Sequence, residues 1–130
     1  MNPHSLAIEL VRVINQRDPD TALHLFLPDA EVCFPRFAPR SVFRGDTELR
    51  ELFSWLTARL PVQTIAVDRV TPMETTALVE FEITGVSDTG NEFDNVGALV
   101  IDSEQGRIAR LRVYIDTADL GRVLAEPIAA

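Results

Sequence analysis

The 130-residue sequence has a single cysteine, Cys33, so no intramolecular disulfide can form and a cysteine-built zinc site is not expected. Its two histidines, His4 and His24, stand far apart and do not suggest a histidine metal site. Basic side chains are outnumbered, 12 against 20 acidic, for a net charge of −8. A chain so charged lacks the cationic footprint that nucleic-acid backbones or anionic membrane surfaces require. No apolar run approaches the roughly 20 residues that span a bilayer. The opening MNPHSLAIEL has neither the basic region nor the long apolar run of a signal peptide, so a cytoplasmic location is expected. Glycine-rich phosphate loops and metal-ligand clusters are missing too, and no cofactor is expected. There is no internal repeat, low-complexity stretch or linker, which makes residues 1–130 one expected domain.

What is present is ordinary globular chemistry, with 46% hydrophobic and 25% charged residues. The first 60 residues carry helical periodicity with one interruption. Asn2-Pro3 is a helix start, and Leu6, Ala7, Leu10, Val11, Val13 and Ile14 form one apolar face. Asp18-Pro19-Asp20 repeats the start signal for a short helix expected to carry Ala22, Leu25 and Phe26 and to end at Pro28. Ala30 to Phe34 reads as a short strand, and Pro35 to Gly45 as an irregular loop. Asp46 or Thr47 is the expected cap of a third helix carrying Leu49, Leu52, Phe53, Leu56 and Leu60 and stopped by Pro61.

From Val62 the period becomes 2. Val62–Val70, Thr76–Val86, Asn91–Ile101 and Arg107–Asp116 read as strands. In the second of these, Ala77, Val79, Phe81 and Ile83 share a face opposite Glu80, Glu82 and Thr84. In the last, Leu111, Val113 and Ile115 oppose Arg110, Arg112 and Tyr114. Ser87–Gly90 and Asp102–Gly106 are turns, so these strands pair antiparallel. A last short helix is expected over Ala118–Ala125. Helices followed by a meander give an α+β fold with the helices on one face of the sheet.

LFLPDAEVCFP, a proline-rich loop and FRGDTELRELF, together with GRIARLRVYIDTADL, resemble the SnoaL-like branch of the nuclear-transport-factor-two-like superfamily, over about Ile8 to Leu120. The resemblance implies a cone: a curved antiparallel sheet wrapped around a pocket for a small hydrophobic molecule, with about three N-terminal helices closing it. It also implies homodimers, commonly through the outer sheet face, where Glu80, Glu82, Arg110 and Arg112 are expected. Activities among the relatives suggest a cofactor-free isomerase, cyclase or lyase. The ketosteroid-isomerase positions fall on Phe34, Leu10 and Ala98 in ungapped alignment, and an epoxide-hydrolase carboxylate falls on Val113. All are apolar, and a general base needs a titratable group. His24, the histidine nearest to what a scytalone-type dehydratase would need, reads as a surface residue.

Alternation backward from Ala98 would put Val100, Ala98, Val96 and Asp94 inward. Asp94 at the cavity mouth would be a partly desolvated carboxylate suited to act as a base, or else a solvated strand-start residue. Arg36, in the proline-rich loop, and Tyr114 are the candidate electrophilic helpers. The expected ligand-binding wall comprises Leu10, Phe34, Trp55, Val79 and Phe81, with Val96, Ala98, Leu111 and Val113 from the later strands. Three readings stay open: an enzyme built around Asp94, a non-catalytic ligand-binding or homodimerisation module, and an interaction domain for another protein. A cavity of about 300 Å³ or more with Asp94 pointing in would favour the first.

Overall fold

The computed structural model describes residues 1–35, 40–116 and 122–123. Helix α1 (Pro3–Asn15) starts as the sequence indicates: the Asn2 side chain accepts a hydrogen bond from the Ser5 amide at 2.8 Å, and Pro3 occupies the first turn. Its buried face is Leu6, Ala7, Leu10, Val11 and Val13. Helix α2 (Pro19–Leu23) is capped by Asp18, whose carboxylate accepts from the Thr21 amide and hydroxyl, which together hold the Asp18 pKa below the ordinary carboxylate value.

Here the structure departs from expectation. Helix α2 ends at Leu23, and Phe26 opens strand β1 (Phe26–Cys33), which runs through Pro28. Phe26 pairs with Ile108, and the register then shifts before Glu31, so Pro28 falls in an irregular stretch where its missing N–H costs no ladder bond. The segment around Ser41, read as loop, supplies a short strand β2 (Val42–Arg44) paired to β1. Helix α3 (Gly45–Arg59) begins two or three residues earlier than expected, with Arg44 in place of Asp46 or Thr47 at the cap. The Glu48 carboxylate reaches back to accept from the Arg44 amide at 3.0 Å, replacing the expected Asp46 or Thr47 cap.

Strands β3 (Val62–Met73), β4 (Thr76–Val86), β5 (Glu92–Glu104) and β6 (Arg107–Ile115) complete a six-stranded sheet ordered β2-β1-β6-β5-β4-β3. All pairings are antiparallel except β1 with β6. The sheet is curved and unclosed. Its concave side holds the core, covered by α1 against β3, β4 and β5 and by α3 against β1 and β2. Asn15 pins α1 to β3 by gripping the Ile65 backbone on both sides: its Nδ2 donates to the Ile65 carbonyl at 2.9 Å, and its Oδ1 accepts from the Ile65 amide at 2.8 Å. Arg59, only 1% exposed, ties the end of α3 to Asp88 at 3.4 Å and to the Val123 carbonyl at 2.7 Å. The expected last helix lies outside the described residues except for Arg122 and Val123, which are helical.

Candidate functional site

The hollow of the sheet is built by period-2 alternation. On β4, Ala77, Val79, Phe81 and Ile83 are buried, as the sequence indicates, and on β6 Leu111, Val113 and Ile115 turn the same way. Strand β5 follows from its pairing: Phe81 faces Gly97, Val79 faces Leu99 and Ile83 faces Asn95. Residues directly opposite on an antiparallel pair point to the same side. The inward set of β5 is therefore Phe93, Asn95, Gly97, Leu99 and Ile101.

This corrects the expectation for Asp94, Val96 and Ala98, which all belong to the outer face. Asp94 is exposed and Val96 is 62% exposed. The reason is one residue of register. Reading Ser87–Gly90 as a four-residue turn sets Val86 opposite Asn91 and turns the even-numbered residues inward. In the structure Ser87 itself pairs with Asn91, through an amide-to-carbonyl bond of 2.9 Å, and Gly90 takes the left-handed conformation (φ 85°) of a three-residue turn. Val86 then faces Glu92, and the whole strand flips its faces. The ungapped placement of a ketosteroid-isomerase carboxylate on Ala98 falls with it; the inward neighbours are Gly97 and Leu99.

Inside the cone lies a cavity of about 90 Å³. Ile14 of α1, Leu52, Phe53 and Leu56 of α3, and Leu60 close it from the helical side. Val32, Phe34, Ile65, Phe81, Ile83, Leu99, Leu111, Val113 and Ile115 form the sheet side. Gln63 is the one polar side chain in this lining, and no ionisable group lines it among the described residues. Gly97 explains how Phe81 fits: a Cβ at position 97 would stand 2.7 Å from the Phe81 ring and 2.7 Å from the Tyr114 carbonyl oxygen. The ring covers the glycine and forms part of the cavity floor. A second space of about 60 Å³ lies between the helices, reaches Arg17, Asp18 and Thr57, and shares Ile14, Phe53, Leu56 and Gln63 with the first.

The expected wall residues thus divide. Phe34, Phe81, Leu111 and Val113 touch the cavity. Leu10 and Val79 are fully buried in the core but do not line it. Trp55 stands behind the wall, edge-on to Phe34 with ring centroids 6.2 Å apart. Tyr114 is 54% exposed on the outer face, directly opposite Ala98 and away from the cavity. Arg36 lies outside the described residues. His24 is exposed. Sequence reading missed Gln63 and Asn95. Asn95 is 4% exposed, and its Nδ2 donates to the Asp116 carbonyl at 3.2 Å. Its signal was its parity with Phe93, Leu99 and Ile101. Cys33 is half-buried, with Arg110 Nη2 3.7 Å from its sulfur and its thiol donating to a Glu31 carboxylate oxygen at 3.5 Å.

The titratable groups gather on the outer face. Glu82 of β4 and Asp94 of β5 lie close enough for Asp94 to push the Glu82 pKa upward, chiefly by charge repulsion, with a smaller repulsion from Asp68. At the other end of the sheet, Glu31 is held below the ordinary carboxylate range, first by its hydrogen bond to Arg44 and then by its bond to Cys33. Among the described residues no cluster of side chains suits a metal ion, and no helix is long and apolar enough to cross a membrane.

Residues 7–111 match the family model of the SnoaL-like domain. No curated protein matches the sequence. Solved structures share the fold at low identity. A nuclear-transport-factor-two-like protein of unknown function from Burkholderia pseudomallei superposes with a TM-score of 0.88 at 17% identity, covering 97% of this chain and 99% of its own. A putative SnoaL-like polyketide cyclase from Jannaschia sp. gives 0.76 at 16%, covering 95% and 94%. TerC, crystallised with polyporic acid, gives 0.83 at 13%, covering 95% and 98%.

Proposed function

Since the chain belongs to the SnoaL-like domain family, we propose that it uses the family's cone to bind a small hydrophobic molecule without transforming it. The carrying observation is the cavity lining, apolar but for Gln63 and without an ionisable side chain among the described residues. Binding needs only volume and apolar contact. Isomerisation, cyclisation or elimination by general acid–base chemistry needs a titratable group within hydrogen-bond reach of the substrate. The two candidates within the described residues, Asp94 and Tyr114, are on the other side of the sheet.

Size narrows the ligand. Cavities for drug-sized molecules run to roughly 300–1,000 Å³, whereas an engineered apolar cavity of about 150 Å³ takes up benzene. At about 90 Å³, with the smaller space beside it, this cone suits a single small ring or a short chain. It does not suit a fused tetracycle.

The homodimer expected from the resemblance belongs to the same proposal. Val96 and Tyr114, 62% and 54% exposed, give the outer face apolar area for a second copy. The test is a titration of the protein with benzene, cyclohexane and cyclopentane, followed by methyl chemical shifts of Leu111 and Val113. Saturable shifts in these residues, with every compound recovered unchanged, are expected. Absence of binding by all three sinks the reading, and turnover of any of them by the native chain overturns it in favour of an enzyme.

A further inference from the structure

The inner cavity has a polar point, and it sits at the neck. Gln63 lines both the cavity inside the cone and the space between the helices, together with Ile14, Phe53 and Leu56. Its own satisfaction is poor: Nε2 reaches Asn15 Oδ1 at 3.5 Å, the long limit of a hydrogen bond. Asn15 cannot move closer, because both ends of its amide are committed to the Ile65 backbone at 2.8 and 2.9 Å. A primary amide offers two donor hydrogens and a carbonyl acceptor. Held half-buried in an apolar wall with one weak partner among the described residues, it gains by meeting a complementary oxygen.

Resting on the binding function proposed above, we infer that Gln63 determines specificity: it selects a small hydrocarbon carrying one neutral oxygen, a ketone or alcohol. The hydrocarbon body fills the cone between Phe81, Leu99 and Val113. The oxygen stays at the neck, where it accepts from Gln63 Nε2 or, as a hydroxyl, donates to Oε1. A carboxylate head is disfavoured by the surroundings. The inner lining supplies no cation among the described residues, the Arg17 guanidinium is bound to the Thr57 carbonyl at 2.8 Å, and the Asp18 carboxylate borders the outer space.

The experiment compares cyclohexanone with methylcyclohexane, similar in size and shape, on the full chain and on Gln63→Leu, by calorimetric or shift titration. Using the ratio between the two proteins removes the different water solubilities of the probes. Gln63→Leu should weaken cyclohexanone about tenfold, as expected for one lost hydrogen bond. It should leave methylcyclohexane unchanged or slightly tighter. Gln63→Met must show the same split, and stands in if Gln63→Leu does not fold. If both probes bind and neither substitution separates them, the role of Gln63 is overturned while the binding function survives. If neither probe binds the native chain, the binding function itself fails, and the inference fails with it.

Discussion

The two faces of this one sheet differ more than its strands do. On the inner face, Val79, Phe81, Ile83, Leu99 and Leu111 are buried, and the polar exceptions among the described residues include Gln63, Asn95 and Ser103. On the outer face, a step of one residue away, stand Glu80, Glu82, Asp94, Arg110 and Tyr114. Strand alternation produces both at once. For a fold shared with a putative SnoaL-like polyketide cyclase, the lesson concerns function: the register of β4 and β5 delivers Glu80, Glu82 and Asp94 to the convex side. Parity on a strand decides whether a carboxylate is a candidate base or a solvated charge.

The sharpest test of the contrast is truncation on each side. Phe81→Ala removes a ring from the cavity floor and should cost about 3–5 kcal/mol, the range for deleting a buried aromatic. The loss is read as a fall in the denaturant midpoint with unchanged slope. Tyr114→Ala, on the outer face, should stay within about 0.5 kcal/mol in a monomer. A large, concentration-dependent loss with Tyr114→Ala would break the contrast by showing that a second copy buries that face.

A smaller effect is expected at Gly97. Its Cβ-free position lets Phe81 and the Tyr114 backbone approach, and a methyl there would meet the carbonyl oxygen at 2.7 Å. Backbone cannot swing aside as a flexible side chain can, so Gly97→Ala should cost about 1–3 kcal/mol by overpacking. The same substitution should shrink the cavity and weaken binding of benzene. Gly97→Ala at native stability with native benzene affinity would show that Phe81 does not lie over the glycine in solution.

Much of this contrast could be read without coordinates. The run Ala77 to Ile83 alternates strictly, so β4 declares its faces, and Leu111 to Ile115 does the same for β6. Strand β5 does not, because both of its parities are apolar: Val96, Ala98 and Val100 compete with Phe93, Leu99 and Ile101. The deciding quantity was the length of the turn around Asp88–Gly90, a feature that composition specifies only to within a residue. Phe26 was ambiguous for another reason. It continues the helical spacing of Ala22, yet its backbone joins β6, a tertiary pairing no local pattern can announce. The cap of α3 was missed because Asp46 and Thr47 are better capping residues than Arg44, and the job is done from inside the helix by Glu48. The cavity was legible as an apolar hollow; its polar point was not. Gln63 starts a strand like any surface glutamine, and only the approach of α1 and α3 turns it into a wall.

The smallest expected effect lies wholly on the outer face and concerns pH. Glu82 has its pKa raised, first by repulsion from Asp94 and further by Asp68, whereas Glu31 has its pKa lowered, first by the hydrogen bond from Arg44. The signs oppose. A carboxyl whose pKa is raised by folding contributes stability that is present below its unfolded pKa and is lost as pH rises through the folded value. A carboxyl whose pKa is lowered contributes stability present above its unfolded pKa and lost as pH falls through the folded value. Asp94→Asn removes the main repulsion, so the Glu82 pKa should fall back toward its ordinary value while that of Glu31, at the other end of the sheet, stays where it is. Side-chain carboxyl shifts followed by NMR through the acid range check both. Glu82 is exposed, so the effect on unfolding should be slight: a small gain for Asp94→Asn above the carboxylate range that disappears in acid. If Asp94→Asn leaves the Glu82 titration unmoved, the two carboxyls are not neighbours. The register that places Asp94 outside the cone would then be wrong, and Asp94 would return as a candidate base.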